Sequence, residues 1–468
     1  MDTTKLSVKE KIGYGMGDAG CNIIFGAIML FVNYFYTDIF GLAPALVGVL
    51  LLSIRVIDAI TDPLMGALAD RTQSKYGRFR PWLLWIAVPY AVFSVLMFTT
   101  PEWTYSSKVI YAFVTYFLLS LTYTAINIPY CSLGGVITND PKERVACQSY
   151  RFVMVGIATL LLSLTLLPMA EWFGGADKAK GYQMAMTVLA FIGMCMFLYC
   201  FATVRERVRP AVPTNDDLKK DFRDVWKNDQ WVRILLLTLC NVCPGFIRMA
   251  ATMYYVTWVM QESTHFATLF ISLGVVGMMF GSMLAKVLTD RWCKLKVFFW
   301  TNIALAIFSC GFYFLDPRAT VMIAVLYFLL NILHQIPSPL HWSLMADVDD
   351  YGEWKTGKRI TGISFSGNLF FLKVGLAVAG AMVGFLLSWY GYDAGAKQQS
   401  ASAINGIMLL FTVIPGVGYL ITAGMVRLLK VDRELMKQIQ ADLEKRRINY
   451  HELSDSQSVP AAKNVRNA

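Results

Sequence analysis

Charge is what this chain has least of. Asp, Glu, Lys and Arg make up 16% of its 468 residues, where a soluble domain carries about 25%, and 56% of the residues are hydrophobic. A water-soluble enzyme is disfavoured from the outset. Histidine is scarce, with four in all, and Cys240 and Cys243 form the one CxxC, in an apolar run with no second pair beside it. That pattern supports neither a zinc site nor a redox pair. The nine cysteines lie almost all in apolar stretches, where a thiol acts as a small hydrophobe. There is no Walker motif, no Gly-x-Ser-x-Gly elbow and no HExxH, so the commonest nucleotide, acyl-transfer and metalloprotease chemistries lack their residues. The segment up to Glu10 is polar and has no short apolar core before a small-residue cleavage site, so no cleaved signal peptide is expected.

What the chain does have is long apolar runs. They cover about 12–37, 44–69, 82–100, 109–137, 152–170, 183–204, 231–260, 266–288, 297–315, 320–346, 360–391 and 404–426. Each is long enough to cross a bilayer as a helix, which takes about 20 residues. Barrel strands alternate apolar and polar residues, whereas these runs are continuous. The predicted class is therefore all-α, a polytopic membrane protein with twelve transmembrane helices.

The net charge of +10 would suggest nucleic acid in a soluble protein, but its placement gives another reading. With the N-terminus inside, 31 Lys and Arg fall in inside loops and the C-terminal segment, five fall outside, and six lie within or at the ends of spans. This bias puts both termini in the cytoplasm, and nucleic acid drops out as a partner. The polar stretch Arg205–Gln230 divides the spans six and six, giving a first bundle over 1–205, a linker over 206–230, a second bundle over 231–428 and a tail over 429–468. Asp70-Arg71 after the second span recurs as Asp290-Arg291 after the eighth, 220 residues on. Such a repeat suits two equivalent six-helix bundles with a repeated gate element. The tail reads as a short helix to about Arg447 followed by a disordered segment.

Ionisable groups inside a membrane span need a partner, water or a function. Asp58 and Asp62 are four apart on the second span, with Arg55 a turn earlier, so they share a helix face. Two carboxylates so placed can ligate a small cation or hold a proton; alternatively they form a structural ion pair with Arg55 or Lys373. Lys373 stands among Phe370, Phe371 and Leu372 on the eleventh span and is expected to face the central cavity. Three readings follow: a secondary transporter, a membrane-embedded enzyme with Asp58 and Asp62 as an acid–base pair, or a receptor. The enzyme lacks a second catalytic cluster, and the receptor leaves the buried charges unexplained.

Several motifs together carry a resemblance. Gly13-Tyr14-Gly15-Met16-Gly17-Asp18, Phe35-Tyr36-Thr37-Asp38, Arg55-x-x-Asp58-Ala59-x-x-Asp62-Pro63-x-Met65-Gly66, Gly77-Arg78-Phe79-Arg80-Pro81-Trp82, Asn127-Ile128-Pro129, Lys227-Asn228-Asp229-Gln230 and Asp347-x-x-Asp350-Tyr351-Gly352-Glu353 resemble the glycoside-pentoside-hexuronide:cation symporters. This is the melibiose-permease-like branch of the major facilitator fold, and the likeness covers residues 6 to 430. It implies a monomeric carrier of a small-molecule substrate in a bacterial inner membrane, with no enzymatic activity, no cofactor, and Na+ or H+ as coupling ion.

The resemblance also implies site residues. The cation site falls on Asp58, Thr61, Asp62 and Thr124, with Thr61 where melibiose-type members have Asn; a further family Asp is Asn127 here. Fewer hard negative ligands weaken the case for Na+. The substrate site falls on Asp18, Asn22, Tyr123, Asn127, Cys131, Arg151, Arg248, Ser338, Asn368 and Lys373. A family Lys-Asp pair is Cys21-Asn22 here, and aromatic positions are taken by Cys131 and, on the tenth span, by the neighbourhood of Ser338. With Asp lost at two places and Arg151, Arg248 and Lys373 as charge-assisted donors, the expected substrate is a small anionic polyol such as 2,3-dihydroxypropane-1-sulfonate; a neutral glycoside or pentoside is the alternative. Arg248 is equally readable as a structural cation, and His341 and Trp342 have spacing compatible with the cavity.

Overall fold

The computed structural model describes residues 5–175, 177–208, 218–393, 396 and 398–457. Among them there is no strand; sixteen α-helices account for most of the chain. The twelve apolar runs fall on α1 (Val8–Tyr34), α2 (Pro44–Arg71), α3 (Arg80–Met97), α4 (Tyr105–Leu133), α5 (Pro141–Gly174), α6 (Lys178–Thr203), α8 (Asp229–Tyr254), α9 (Thr264–Arg291), α10 (Lys294–Gly311), the pair α11 (Thr320–Gln335) and α12 (Pro337–Thr356), α13 (Thr361–Trp389), and the pair α14 (Ala401–Phe411) and α15 (Val413–Val426); among the described residues, the ten from α3 onward are long and apolar enough to cross a membrane. The short α7 (Leu218–Trp226) and the tail helix α16 (Arg433–Gln457) lie outside the spans. Of the expected linker, 209–217 lie outside the described residues, as do 458–468 of the expected tail.

The spans match the apolar runs except at one side of the bundle, where helices outlast their hydropathy. α5 begins at Pro141, not near 152, and α12 runs on to Thr356, not 346. The extra turns are polar, and Asp140 starts α5 by accepting a hydrogen bond from the Lys142 backbone N–H, a normal N-cap. Their charged side chains are buried against one another, so helix persists where an apolarity criterion stops. The 220-residue repeat is structural too. α1 and α8 each pass into a π-helical turn, Phe35–Ile39 and Tyr255–Val259, before α2 and α9 begin at positions 44 and 264.

Charged loops, α7 and α16 gather at one end, here called the basic end. Glu206 links the turn before α3 to the linker: its carboxylate accepts from the backbone N–H groups of Arg78, Phe79 and Arg80 at 2.8–2.9 Å. Gly77 sits at φ +111° directly over that carboxylate, where a Cβ would lie 2.6 Å from it, which accounts for the glycine that opens the Gly77–Trp82 motif. Where α2 meets α13, a Cβ on Gly66 would lie 2.5 Å from the Gly362 carbonyl oxygen. Small residues thus let the two halves touch backbone to backbone, as membrane helices do without a hydrophobic drive between them. Large apolar side chains such as Trp172, Phe314, Val321 and Trp389 point outward, as suits a lipid-facing surface.

Candidate functional site

The two membrane aspartates are buried, Asp58 to 3% exposure and Asp62 to 1%. Their i,i+4 spacing on α2 turns both toward α4, whose Ser120 and Thr124 repeat the same spacing. Ser120 Oγ donates to Asp58 Oδ1 at 2.5 Å and Thr124 Oγ1 to Asp62 Oδ1 at 3.0 Å. Lys373, arriving from α13 in the other half, places Nζ 2.6 Å from Asp62 Oδ2 and 3.3 Å from Asp58 Oδ2. All four carboxylate oxygens therefore face a protein donor. Two carboxylates this close together in a low-dielectric site can hold a proton or a small cation. Thr61 turns its hydroxyl back to the Ile57 carbonyl on its own helix, and the side chain of Arg55 is outside the described residues.

Six of the expected substrate residues form one chain of contacts in the first half. Asn22 Nδ2 donates to Asp18 Oδ1 at 3.1 Å, and Arg151 Nε donates to Asp18 Oδ2 at 2.6 Å. Arg151 Nη2 then reaches Cys131 Sγ at 3.7 Å; Cys131 and Cys21 thiols lie 3.7 and 3.8 Å from Asn127 Oδ1, and Asn127 Nδ2 donates to Tyr123 OH at 3.3 Å. α4 carries both networks on adjacent stripes, Ser120 and Thr124 toward the aspartates, Tyr123, Asn127 and Cys131 toward Arg151. A movement of this helix is felt at both.

The second half contributes less uniformly. Trp342 of α12 lies under the Arg151 guanidinium, 4.5 Å from ring to charge, so an aromatic face is present one turn beyond Ser338, which is half-buried at the start of α12. Asn368 joins Thr238 and His341 inside the second half: its Oδ1 accepts from Thr238 Oγ1 at 2.5 Å and lies 3.2 Å from His341 Nε2. Arg248 is not brought to Arg151 or Lys373. It is buried in a separate cluster, donating to the Phe411 carbonyl at 3.0 Å, where α14 ends, and to Ser309, over the Tyr419 ring. Helical spacing says only that Arg248 is deep in its span; which neighbours surround it depends on how α8, α10 and α14 pack. Sequence reasoning missed Ser120 and Thr238, and beside Arg151 it missed Gln148, which accepts from Arg151 Nη1 and donates to the Tyr14 hydroxyl, both at 3.2 Å. The Ser120–Thr124 spacing opposite Asp58–Asp62 was the one signal available, since a lone hydroxyl in a span is otherwise commonplace.

A second polar network closes the basic end across the halves. Arg144 Nη1 of α5 donates to Asp347 at 3.0 Å and Asp350 at 2.7 Å on α12. Arg359 donates to Asp350, to Glu353 and across to the Gly135 carbonyl at 2.7, 2.8 and 2.9 Å. Burial alone would lower the Arg359 guanidinium, but Asp349, Asp350 and Glu353 around it hold it above its ordinary value. Asp70 accepts the backbone N–H groups of Gly362 and Ile363 at 2.8 and 3.1 Å, capping α13 from the other half. Its repeat partner, Asp290, offers its carbonyl to Lys142 at 3.5 Å. At the far end the hydrogen bonds among the described residues run within one half, as between Ala43 and Tyr105, Thr99 and Gln183, and Tyr313 and Asn405.

Comparison with known proteins adds an independent finding. The family model described as MFS/sugar transport protein matches residues 13–433. The inner membrane symporter YicJ of Escherichia coli (strain K12) is 47% identical over 90% of this chain and 92% of its own length. The isoprimeverose transporter of Lactiplantibacillus pentosus is 32% identical over 96% of this chain and 94% of its own. Among solved structures, the major facilitator transporter FucP in the outward conformation superposes with a TM-score of 0.66 at 13% identity, over 90% of this chain and 98% of its own, which speaks to fold alone.

Proposed function

Because the chain belongs to the MFS/sugar transport protein family, we propose that it is a cation-coupled secondary carrier of a small polyhydroxylated solute, working by alternating access rather than catalysing a reaction. In this reading 1–205 and 231–428 are the two bodies that rock, 206–230 joins them, and the basic end faces the cytoplasm of a bacterium with the chain in the inner membrane. The observation that carries it is the cluster of Asp58, Asp62 and Lys373. It spans the two halves, sets two buried carboxylates against one ammonium, and shares α4 with the network around Arg151. Lys373 holds the aspartates until a Na+ or H+ competes for them, and its release loosens one half from the other.

Two substrate classes fit the site. An anionic polyol such as 2,3-dihydroxypropane-1-sulfonate uses the remaining donors of Arg151 and a released Lys373. A neutral glycoside uses the Trp342 face and the hydroxyl-matching groups Asn22, Asn127 and Tyr123. The pairing of Arg151 with Asp18 leaves that pocket electrically balanced, which favours the neutral class; the similarity to the isoprimeverose transporter points the same way. Counterflow in proteoliposomes with matched sulfonates, glucuronides and neutral glycosides tests both. Exchange of one class and not the others identifies the substrate, and no counterflow of any refutes the carrier reading for these solutes.

A further inference from the structure

Away from the aspartates and Arg151, a cavity of about 200 Å³ opens at the basic end between three parts of the molecule. The first half supplies Lys142 and Val145 of α5, the second Thr289, Trp292 and Lys294, and the tail Arg433, Met436 and Lys437. Three helices begin at its wall: α5 at Pro141, α10 at Lys294 and α16 at Arg433. The N-terminus of α10 has no side-chain cap, so the first N–H groups of that helix lack the usual partner.

The charges around the cavity are not balanced once their partners are followed. Asp140 caps the Lys142 backbone N–H, Asp432 caps that of Leu435, and Asp347 is held by Arg144 and by Lys294 at 2.5 Å. Asp140 and Asp432 keep their charge as helix caps, so the wall sets three carboxylates, Asp140, Asp347 and Asp432, against four cations, Lys142, Lys294, Arg433 and Lys437. Of the cations, Lys142 has a carbonyl at 3.5 Å and Lys437 an exposed contact with Glu434 at 3.5 Å, and Arg433 is exposed. A surplus of cations with weak partners, beside the α10 N-terminus that no side chain caps, is what an oxyanion requires.

We propose that this cavity binds a phosphate-bearing anion, and that its occupancy holds the basic end shut by bridging both halves and the tail. The phosphate belongs either to a free solute or to the headgroup of an anionic lipid, and both meet the same donors. Val145, Trp292, Val431 and Met436 give the site an apolar wall for the rest of the molecule. The gating half of the proposal rests on the carrier reading; the binding half does not.

The test uses the full-length protein in phosphatidylcholine nanodiscs and liposomes. Inorganic phosphate is titrated in one arm and phosphatidylglycerol replaces part of the phosphatidylcholine in another, with thermal stability as the binding readout and substrate exchange as the transport readout. A saturable rise in melting temperature in either arm is expected. It should weaken at least tenfold in the triple variant Lys142→Gln/Arg433→Gln/Lys437→Gln and persist in Lys296→Gln, an exposed cation of α10 outside the cavity wall. The single variant Arg433→Gln, at an exposed helix start, guards against misfolding of the triple one and should show part of the loss. No saturable shift with either probe, or an undiminished shift in the triple variant, overturns the site. A shift without slowed exchange leaves the site standing and overturns its gating role. Exchange absent in all conditions, with the shift intact, counts against the carrier reading and not the site.

Discussion

Arg144 is the side chain whose removal most directly tests whether the basic end is a gate. It is buried, as are its acceptors Asp347 and Asp350, all at 2% exposure or less, and it reaches them across the halves at 3.0 and 2.7 Å. Removing one partner of a buried ion pair costs about 3–5 kcal/mol. Here Lys294 still pairs with Asp347 at 2.5 Å and Arg359 with Asp350 at 2.7 Å, so Arg144→Gln should cost roughly half of that, about 2 kcal/mol. When the halves part, water solvates these groups, so the penalty falls on the closed state alone. Two kcal/mol is a factor of about 30 in the closed-to-open ratio. Cys293, half-buried beside Lys294, reports it: in inside-out vesicles of a background with the exposed Cys195 replaced by serine, an impermeant maleimide should label Cys293 about 30-fold faster in Arg144→Gln, and Arg144→Lys should recover part of the difference. Labelling within twofold of the parent would show that the network does not hold the end closed.

Asp58→Asn and Asp62→Asn should each abolish gradient-driven accumulation while leaving exchange of preloaded substrate; unchanged pH- and sodium-driven accumulation in both removes them from coupling. Gly66→Ala forces a methyl against the Gly362 carbonyl, an overpacking cost of about 1–3 kcal/mol, and should speed Cys293 labelling about five- to a hundredfold without altering secondary structure by circular dichroism. Arg151→Gln removes a charge-assisted donor and leaves Asp18 bare, so affinity for an anionic solute should drop about ten- to a hundredfold. Titration of the variant with a matched anionic and neutral pair decides between the substrate classes: equal losses for both point to the neutral one. Reporters after residues 225 and 440 should lie on one side of the membrane and those near 175 and 392 on the other; 175 and 225 on the same side refutes the twelve-span topology.

The membrane class, the twelve spans and the internal repeat were all legible in the sequence, because a bilayer imposes one length and one composition on every helix that crosses it. The pairing of Asp58 with Asp62 was legible for a similar reason: a four-residue interval fixes a shared helix face without any knowledge of the fold. That Lys373 needs a partner followed from the cost of leaving an ammonium alone in lipid; its pairing with the aspartates was only one of the arrangements open to sequence, and the structure places it 2.6 Å from Asp62.

Which partner each remaining polar group chose was decided only by tertiary structure. Arg248 and Arg151 look alike in sequence, each an arginine in an apolar run, yet Arg151 pairs with Asp18 and Arg248 with the carbonyl end of α14. That difference depends on how helices far apart in the chain pack side by side, which no local period encodes. The turns at Pro141 and Thr356 were invisible to hydropathy for the same reason. Hydropathy measures what each residue would lose by leaving water alone, whereas Arg144, Asp347 and Asp350 leave it together, and only the fold brings them within hydrogen-bonding distance of one another.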